Sequence, residues 1–400
     1  MNILILANKP PFPAKDGSSL ATLNMAKGLA KVGNKVTILA ISTPKHQCEP
    51  EWIPKEIKDL INIKLIHINT RINPFKGILN LFFSSLPYNI ERFSNKNYSI
   101  ALKDIINSNK FDIIQLEGLY LVTYLLEVQK LTKAPIVYRS HNIEHEIWER
   151  ISKNEKNWIK TKYFSLLSKR ILRMEISISA QVNALVAISQ RDEQWFKAND
   201  FSKPTISIPM GYTKPELINS TGLANSDICF IGSLDWIPNQ EGLYWFLNNV
   251  WPRILNECPS VSFHIAGRNT SKSIVERLKK EKSVIFHGEV ESATEYLSRY
   301  SLLAVPILSG SGMRVKIVEG MMLGNVIVTT SIGLEGISAT NREQVIIADE
   351  PKDFAEAIIE LIRIPALKNS IAKKARIFAT DNFDTSALAE KLEAFYKKLI

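Results

Sequence analysis

Short apolar segments rich in β-branched residues alternate with amphipathic segments along almost the whole chain. The amphipathic segments carry apolar residues at helical spacing, as in Leu20–Val32, Leu243–Leu255 and Phe354–Ile362. The predicted strands are Ile3–Ala7, Lys35–Ala40, Ile63–His67, Asp112–Leu116, Ile136–Arg139, Ala184–Ile188, Ile228–Ile231, Ser262–Ala266, Val284–His287, Leu303–Pro306, Val326–Thr329 and Val345–Ala348. This alternation predicts an α/β protein whose parallel sheets are covered by helices on both faces.

The chain has 400 residues, which is more than one hydrophobic core supports, since single cores stop growing near about 250–300 residues. We therefore predict two Rossmann-like, doubly wound domains, residues 1–200 and 217–383. The segment between them, 201–216, contains three prolines and a glycine and is predicted to be the hinge. Ligands of open parallel sheets bind at the carboxyl ends of the strands, so two such domains facing each other predict a functional site in a central cleft.

The cysteines and the N-terminus bear on the cellular compartment in which the protein is expected. Cys48, Cys229 and Cys258 lie far apart without a CxxC spacing, which favours a reducing compartment and argues against a disulfide framework or a structural zinc site. The first ten residues lack the basic region and the long apolar run of a signal peptide. No stretch approaches the roughly 18 apolar residues of a membrane span. The sequence therefore predicts a cytoplasmic protein.

The positive charge lies entirely in the first half of the chain. Residues 1–200 contain 28 Lys and Arg against 18 Asp and Glu, whereas residues 201–400 contain 22 of each. This asymmetry indicates an anionic partner for the first domain, or else surface lysines without a function. The stretch 156–173 mixes six basic residues with Trp, Tyr and Phe, which suits a helix on the inner, anionic face of a membrane; a packed helix with a basic outer face is the alternative. We expect no nucleic-acid partner.

The strongest local motif spans residues 306–330. A predicted strand is followed by the loop Ser309–Gly312 and by a helix from about Met313 to Leu323. Glycines allow close backbone approach, and the free N–H groups at a helix start attract anions. Arg314 and Lys316 add two positive charges there, and Glu319 follows on the same helix face. The pattern favours Lys316 as a phosphate ligand and Glu319 as a ligand of a sugar diol; an ordinary strand–helix crossover with surface charges is the alternative.

Other phosphate-binding patterns are absent from the sequence. There is neither a GxxxxGK[ST] loop nor a GxGxxG motif after the first strand, which argues against P-loop NTPases and dinucleotide dehydrogenases. No two aspartates are separated by a single residue, so the short acidic pair that often holds a metal–diphosphate is missing. We therefore expect no metal and no cofactor, with Arg and Lys neutralising the diphosphate.

Several segments resemble the retaining GT-B glycosyltransferases of group 1, the family 4 type. They are FIGSLDWIPNQEG (230–242), FHIAG (263–267), IFHGEV (285–290) and the run GMRVKIVEGMMLGNVIV (312–328). The resemblance implies that Glu319 holds the donor ribose and that Gly17 leaves room for substrate. It also implies that His141 faces the donor sugar and that residues 384–400 form a helix returning to the first domain. The donor-binding residues it implies are Gly17, Gly232, Ser233, Val290, Ser311, Gly312, Met313 and Glu319.

The chain departs from that family at two places. The family pairs two glutamates with seven residues between them, and Ser311 stands at the first position. Many members carry basic residues just after the glycine that corresponds to Gly232, where this chain has Ser233, Asn239 and Gln240. The second departure makes Arg314 and Lys316 the expected diphosphate ligands. Together with His141, which the resemblance implies, they are the expected catalytic residues.

The resemblance implies an enzyme that transfers a sugar from a UDP-, GDP- or similar donor to a hydroxyl, with retention of configuration and without a metal. The acceptor implied is a glycan or lipid-linked glycan in surface-polysaccharide or lipopolysaccharide assembly. A sugar-nucleotide epimerase of the same fold and a non-catalytic nucleotide-sugar-binding protein are the alternatives. Outside the resemblance, Glu117 and Gly118 follow a predicted strand and are expected in a surface loop.

Overall fold

The computed structural model describes residues 1–14, 16–213, 226–310 and 312–400. The chain divides into two compact units, the first formed by Met1–Gly211 with Thr385–Ile400 and the second by Tyr212–Asp384. Ser311 lies outside the described residues, and so do residues 214–225, which hold the end of the predicted hinge and the start of the second predicted domain.

The first unit is built on a seven-stranded parallel sheet in the order β3-β2-β1-β4-β5-β6-β7. Its strands are β1 (Asn2–Ala7), β2 (Lys35–Ser42), β3 (Asn62–His67), β4 (Ile113–Glu117), β5 (Ile136–Ser140), β6 (Ala184–Ala187) and β7 (Thr205–Ser207). Successive residues of β1 enter different cores, Ile3 and Ile5 on one face and Leu4 and Leu6 on the other. Both faces of the sheet are thus covered, as the uninterrupted apolar strands predict.

Helices cover this sheet. They are α1 (Gly17–Lys31), α2 (Lys55–Lys58), α3 (Pro74–Phe83), α4 (Tyr88–Glu91), α5 (Lys96–Ser108), α6 (Leu125–Leu131), α7 (Glu144–Asn154), α8 (Trp158–Gln181) and α9 (Gln190–Ala198), with 3₁₀ turns at Pro50–Trp52 and Leu119–Tyr124. Among the described residues, no helix has both the length and the apolar character needed to cross a membrane.

The second unit repeats the plan with a six-stranded parallel sheet in the order β10-β9-β8-β11-β12-β13. Its strands are β8 (Ile228–Ile231), β9 (Phe263–Ala266), β10 (Val284–Gly288), β11 (Leu302–Val305), β12 (Val326–Thr329) and β13 (Ile346–Ile347). Its helices are α10 (Ile237–Trp245), α11 (Trp251–Glu257), α12 (Lys272–Leu278), α13 (Ala293–Ser298), α14 (Val315–Leu323), α15 (Pro351–Arg363) and α16 (Pro365–Phe383), with a π-helical turn at Phe246–Val250. Two Rossmann-like units are therefore confirmed.

The last helix, α17 (Thr385–Lys397), belongs to the first unit, where it packs against α1. The packing is close at Gly28 of α1, because a Cβ there would lie 2.8 Å from the Cβ of Ala389. A buried polar contact adds to it, since the Tyr396 hydroxyl donates to the side-chain carbonyl of Gln115 on β4. The C-terminal residues thus complete the core of the unit in which the chain begins.

All twelve predicted strands are present. A thirteenth strand, β7, was not predicted, because the prolines around it indicated a hinge. Strand β7, Thr205–Ser207, lies within 201–216, the segment predicted to be the hinge. Pro204 directly precedes it, and its carbonyl accepts from the N–H of Leu185 at 3.0 Å. A proline is tolerated at the start of a short strand on the sheet edge, because no further strand needs its missing N–H. The proline-rich segment therefore contains the edge strand of the first sheet as well as the residues that lead out of the first unit.

Candidate functional site

The strand order of the second unit reverses between β8 and β11, which are neighbours in the sheet. Crevices at such switch points, beyond the carboxyl ends of the strands, are where doubly wound sheets bind ligands. Gly232 and Ser233 follow β8 at this place. The loop after β11 leads through Gly310 and Gly312 to α14. The two segments singled out in the sequence therefore meet at one sheet edge.

Gly232 is needed because two polar side chains approach its Cα. A Cβ at this position would lie 2.7 Å from Nδ2 of Asn239 and 2.9 Å from Nζ of Lys316. Asn239 is buried and donates from Nδ2 to the carbonyl of Ser233 at 2.8 Å. The absence of a side chain at Gly232 thus makes space for the lysine ammonium at the end of β8.

Lys316 lies in the first turn of α14, with its ammonium at the sheet edge. Nζ donates to Oδ1 of Asn239 at 3.0 Å and lies 4.9 Å from the centre of the Phe230 ring. Burial, with a smaller effect of the Arg314 charge, lowers the pKa of Lys316 to about 7. An anion bound beside the ammonium would raise this pKa and restore the positive charge.

Arg314 precedes the first turn of α14 as its N-cap residue. The helix thus begins at Val315, two residues later than predicted, because Gly312 has a left-handed backbone with φ of +86° and Arg314 is extended. The Arg314 side chain is buried, with its guanidinium 5.6 Å from the centre of the Trp236 ring and Nη1 donating to the carbonyl of Gly312. Lys316 and Arg314 therefore place two cations beside the N-terminus of one helix, an arrangement that favours phosphate.

Glu319 lies one turn after Lys316, also buried. Its Oε1 accepts from the Tyr212 hydroxyl at 2.9 Å and from Oγ1 of Thr294 at 2.7 Å. Burial raises the pKa of the carboxyl group, and the two hydroxyl donors counteract that rise. The carboxylate is thus an acceptor in a hydroxyl-rich environment, which is the chemistry that a ribose diol requires.

Arg268 is a cation that the sequence analysis missed. It follows β9, and its Nε donates to Oγ of Ser233 at 3.1 Å. Gly267 before it permits the approach, because a Cβ there would lie 2.6 Å from Cδ1 of Leu234. A basic side chain from the end of the neighbouring strand thus lies beside position 233. The signal in the sequence was a strand ending in Gly-Arg, and only the pairing of β9 with β8 connects it to this site.

Two further predicted donor residues, Val290 and Met313, are half-buried and pack against the same core cluster of the second unit. The structure thus brings Gly232, Ser233, Gly312, Met313, Arg314, Lys316, Glu319 and Val290 into one unit. Gly17 and His141 lie in the first unit. Gly17 is the first residue of α1, and the side chain of the N-cap residue Asp16 accepts from Nζ of Lys9 at 2.8 Å.

His141 lines a cavity of about 530 Å³ in the first unit. The cavity lies where the strand order of this sheet reverses between β1 and β4, and its walls come from the ends of β1, β4 and β5. Its other lining residues include Lys9, Glu117, Tyr120 and Trp148. Aromatic side chains with a few polar or charged groups among them are typical of pockets that bind small molecules.

Glu117 is buried, so the prediction that it lies in a surface loop is wrong. It is the last residue of β4, and its carboxylate contacts Nε2 of His141, Nη1 of Arg139 at 3.3 Å and Oγ1 of Thr22 at 3.3 Å. Burial raises the pKa of Glu117, but Arg139 and His141 outweigh it and hold the pKa well below its usual range. The ionised carboxylate thereby fixes the His141 ring at the cavity wall.

Comparison with known families agrees with this geometry. Residues 15–212 match the model of glycosyltransferase family 4, and residues 225–363 match that of glycosyl transferases group 1. An uncharacterized 44.6 kDa protein in the cps region of Klebsiella pneumoniae is 26% identical in an alignment of 392 positions that covers 96% of each chain.

Solved structures show the same fold. Alr3699/HepE of Anabaena, in complex with UDP, has a TM-score of 0.68 at 16% identity, with all of both chains covered. Sucrose-phosphate synthase of Thermosynechococcus elongatus has a TM-score of 0.73 at 13% identity, covering 100% of this chain and 99% of that one. With the GT-B fold, two matching family models and cations at the switch point, the chain is a glycosyltransferase, with a family 4 domain followed by a group 1 domain.

Proposed function

We propose that this glycosyltransferase moves a sugar from a UDP- or GDP-linked donor to a hydroxyl of a glycan or lipid-linked glycan, with retention and without a metal. The observation that carries the proposal is the pair Arg314 and Lys316 at the N-terminus of α14, with burial lowering the pKa of Lys316. Such a site gains most from an anion that supplies more than one negative charge, as a diphosphate does.

Three observations support the donor class and the setting. Glu319 already accepts two hydroxyl hydrogen bonds, from Tyr212 and Thr294, so its surroundings suit a diol. The similar structures include Alr3699/HepE with UDP and with UDP-glucose. The similar Klebsiella pneumoniae protein is from a cps region, which supports surface-polysaccharide assembly as the setting.

In the proposed reaction, the bond between the sugar C1 and the diphosphate oxygen breaks, and a bond from C1 to the acceptor oxygen forms on the same face. The departing diphosphate takes the acceptor's proton, so no protein nucleophile is required, in contrast to retaining glycosidases with their two carboxylates. Arg314, Lys316 and the start of α14 stabilise the charge that develops on the diphosphate. Arg268, beside Ser233, adds positive charge at the same sheet edge. His141 is proposed to contact the transferred sugar.

The test begins with the donor, because selective ligands stabilise a native protein by mass action. Thermal unfolding is measured with UDP, GDP and ADP and with their sugars, and the stabilising sugar nucleotide is then incubated with and without lipid-linked glycan acceptors. We expect nucleoside diphosphate release that depends on acceptor, with an α-linked product from an α-linked donor. Conversion of the sugar without acceptor would identify an epimerase, and binding with no turnover for any acceptor would favour the non-catalytic alternative.

A further inference from the structure

Helix α3, Pro74–Phe83, exposes an apolar stripe to solvent. Phe75, Ile78, Leu79, Phe82 and Phe83 are 69%, 57%, 42%, 74% and 84% exposed. They stand at positions i, i+3, i+4, i+7 and i+8, the spacing of the face that a helix normally buries against a core. Ile72, just before the helix, is also 72% exposed. We refer to these six residues as the α3 stripe.

The helix is nevertheless attached to the unit by its other side. Asn80 is buried and donates from Nδ2 to the carbonyl of Leu86 at 2.9 Å. A Cβ at Gly77 would make ordinary contact, at 3.7 Å, with the Tyr88 ring, and the Tyr88 hydroxyl accepts from the N–H of Asn73 at 2.9 Å. The orientation of α3 is thus fixed by its polar side, and its apolar side faces outward. Contiguous exposed apolar patches on soluble proteins mark protein or membrane interaction sites.

Residues 158–173 of α8 present a basic and aromatic face. Trp158, Lys162, Leu166, Lys169 and Arg173 follow one another at intervals of three or four residues, and all five are exposed. The Lys162 ammonium lies 5.1 Å from the centre of the Trp158 ring. Residues 156–173 contain six Lys and Arg and no Asp or Glu.

Arg170 joins α8 to α3. Its Nη2 donates to the carbonyl of Leu81 at 2.8 Å, and its Nη1 lies 3.4 Å from Oδ1 of Asn80. The apolar stripe and the basic face therefore lie on adjoining helices of one unit. Helix α3 itself contains Lys76 and no acidic residue.

We propose that α3 and residues 158–173 of α8 form a membrane-docking surface, with the α3 stripe entering the interfacial region of an anionic bilayer. The choice of occupant rests on charge complementarity: apolar side chains beside the basic face of α8 match acyl chains beneath anionic headgroups. The basic stretch of α8 favours an anionic membrane as the binding partner. The structure adds the α3 stripe, an apolar element that neither charge nor periodicity identified in the sequence. The inference does not require turnover, so it stands or fails separately from the proposed reaction.

The full-length protein is sedimented with vesicles of phosphatidylcholine alone or mixed with phosphatidylglycerol, at 0.1 M and 1 M salt. The stripe variant is Phe75→Ser with Phe82→Ser and Phe83→Ser, and its control changes three exposed isoleucines of the second unit, Ile285, Ile364 and Ile377, to Ser. The charge variant changes Lys162, Lys169 and Arg173 to Gln. Its control changes three lysines of the second unit, Lys352, Lys373 and Lys374, to Gln and so removes the same number of charges.

We expect the wild type to bind the anionic vesicles, and the stripe variant to bind at least tenfold more weakly at both salt concentrations. The charge variant should lose affinity at 0.1 M salt and differ little from wild type at 1 M, where the Debye length falls from about 10 Å to about 3 Å. Both controls should bind as the wild type does. Unchanged unfolding temperature and unchanged stabilisation by UDP establish that the stripe variant is folded and keeps its donor site.

Three outcomes would overturn the inference. The wild type could remain in the supernatant with anionic vesicles at low salt, or the stripe variant could bind as tightly as the wild type. Alternatively, the wild type could sediment as a dimer in analytical ultracentrifugation, with the stripe variant monomeric and neither binding vesicles. That last result would assign the α3 stripe to an interface between copies of the chain.

Discussion

Lys316 donates a hydrogen bond from its ammonium to Oδ1 of Asn239 at 3.0 Å, across 77 positions of sequence. The pair lies over Gly232, whose missing side chain leaves the space that both groups occupy. A neutral amide is a weaker partner for a buried ammonium than a carboxylate, so the lysine remains available to an incoming anion. This relationship links the first turn of α10, which follows β8, to the start of α14, which follows β11, and it motivates the first predictions.

Lys316→Met should lower turnover by about 10²–10³, because the ammonium stabilises charge on the leaving diphosphate. Lys368→Met is a matched control: Lys368 is a buried lysine of the same unit whose Nζ donates to Ser301 at 3.1 Å, and burial also lowers its pKa. Initial rates at saturating donor and acceptor measure both variants. If both variants lost turnover equally, the loss in Lys316→Met would reflect the removal of a buried lysine from this unit and not a contact with the diphosphate.

Donor affinity should rise as the pH falls from about 9 to 7. Burial, with a smaller effect of Arg314, lowers the pKa of Lys316 to about 7, so above that pH the free protein must take up a proton to bind a diphosphate. One proton per ligand changes the affinity by at most about tenfold per pH unit. The terminal phosphate of UDP is already mostly ionised at pH 7, since the second pKa of a phosphate monoester is about 6.

Isothermal titration with UDP at pH 7, 8 and 9, in two buffers of different ionisation enthalpy, measures both the affinity and the proton uptake. The Lys316→Met variant should show a flat profile and no uptake. A wild-type Kd that does not change between pH 7 and 9 would falsify a direct contact between Lys316 and the diphosphate.

Glu319→Ala should weaken UDP binding by about 1.5–3 kcal/mol, the usual range for a hydrogen bond to a charged group. The loss should be absent for 2′,3′-dideoxy-UDP, which lacks the hydroxyls that the carboxylate is proposed to hold. Tyr212→Phe serves as the control, since it removes one of the protein hydroxyls on Glu319 and keeps the carboxylate. If both nucleotides lose affinity equally in Glu319→Ala, the residue supports the loop structure and does not bind ribose.

Gly232→Ala should raise the Kd for UDP at least tenfold while the protein stays folded. The new Cβ would meet Nδ2 of Asn239 at 2.7 Å and Nζ of Lys316 at 2.9 Å, and both are the ends of side chains that can move aside. Moving them displaces the ammonium from the site. Gly77→Ala, where a Cβ makes only ordinary contact with Tyr88, is the control for a tolerated glycine substitution. Wild-type affinity in Gly232→Ala would mean that the ammonium position is not critical.

Activity should survive 5–10 mM EDTA, at about the level without chelator, because Arg314, Lys316 and the α14 N-terminus are proposed to supply the positive charge. The measurement is acceptor-dependent release of nucleoside diphosphate, with and without added Mg²⁺ or Mn²⁺. Inactivation by EDTA with rescue by either ion would replace the metal-free mechanism with a metal-bound diphosphate.

The sequence alone determined most strands and the glycine-rich, basic segment before α14. The twelve predicted strands, from Ile3–Ala7 to Val345–Ala348, were visible because buried parallel strands are continuous apolar runs, a property of neighbouring residues. The short edge strand β7 has no such run and was missed. The loop before α14 was visible for the same reason, since glycines, Arg314 and Lys316 lie within a few positions. Resemblance then indicated Gly232 and Glu319, which lie in the same unit.

Only the tertiary structure decided which distant groups meet. Arg268 reaches Ser233 because β9 pairs with β8, and Glu117 is buried because β4 lies in the middle of its sheet, between β1 and β5. Periodicity cannot identify such neighbours, since parallel crossovers bring strand ends together irrespective of sequence distance. The α3 stripe shows the same limit: its spacing predicts an amphipathic helix, but spacing does not say whether the apolar face points to the core or to solvent. That orientation was fixed by Asn80 and Tyr88, which attach the opposite face of the helix to the first unit.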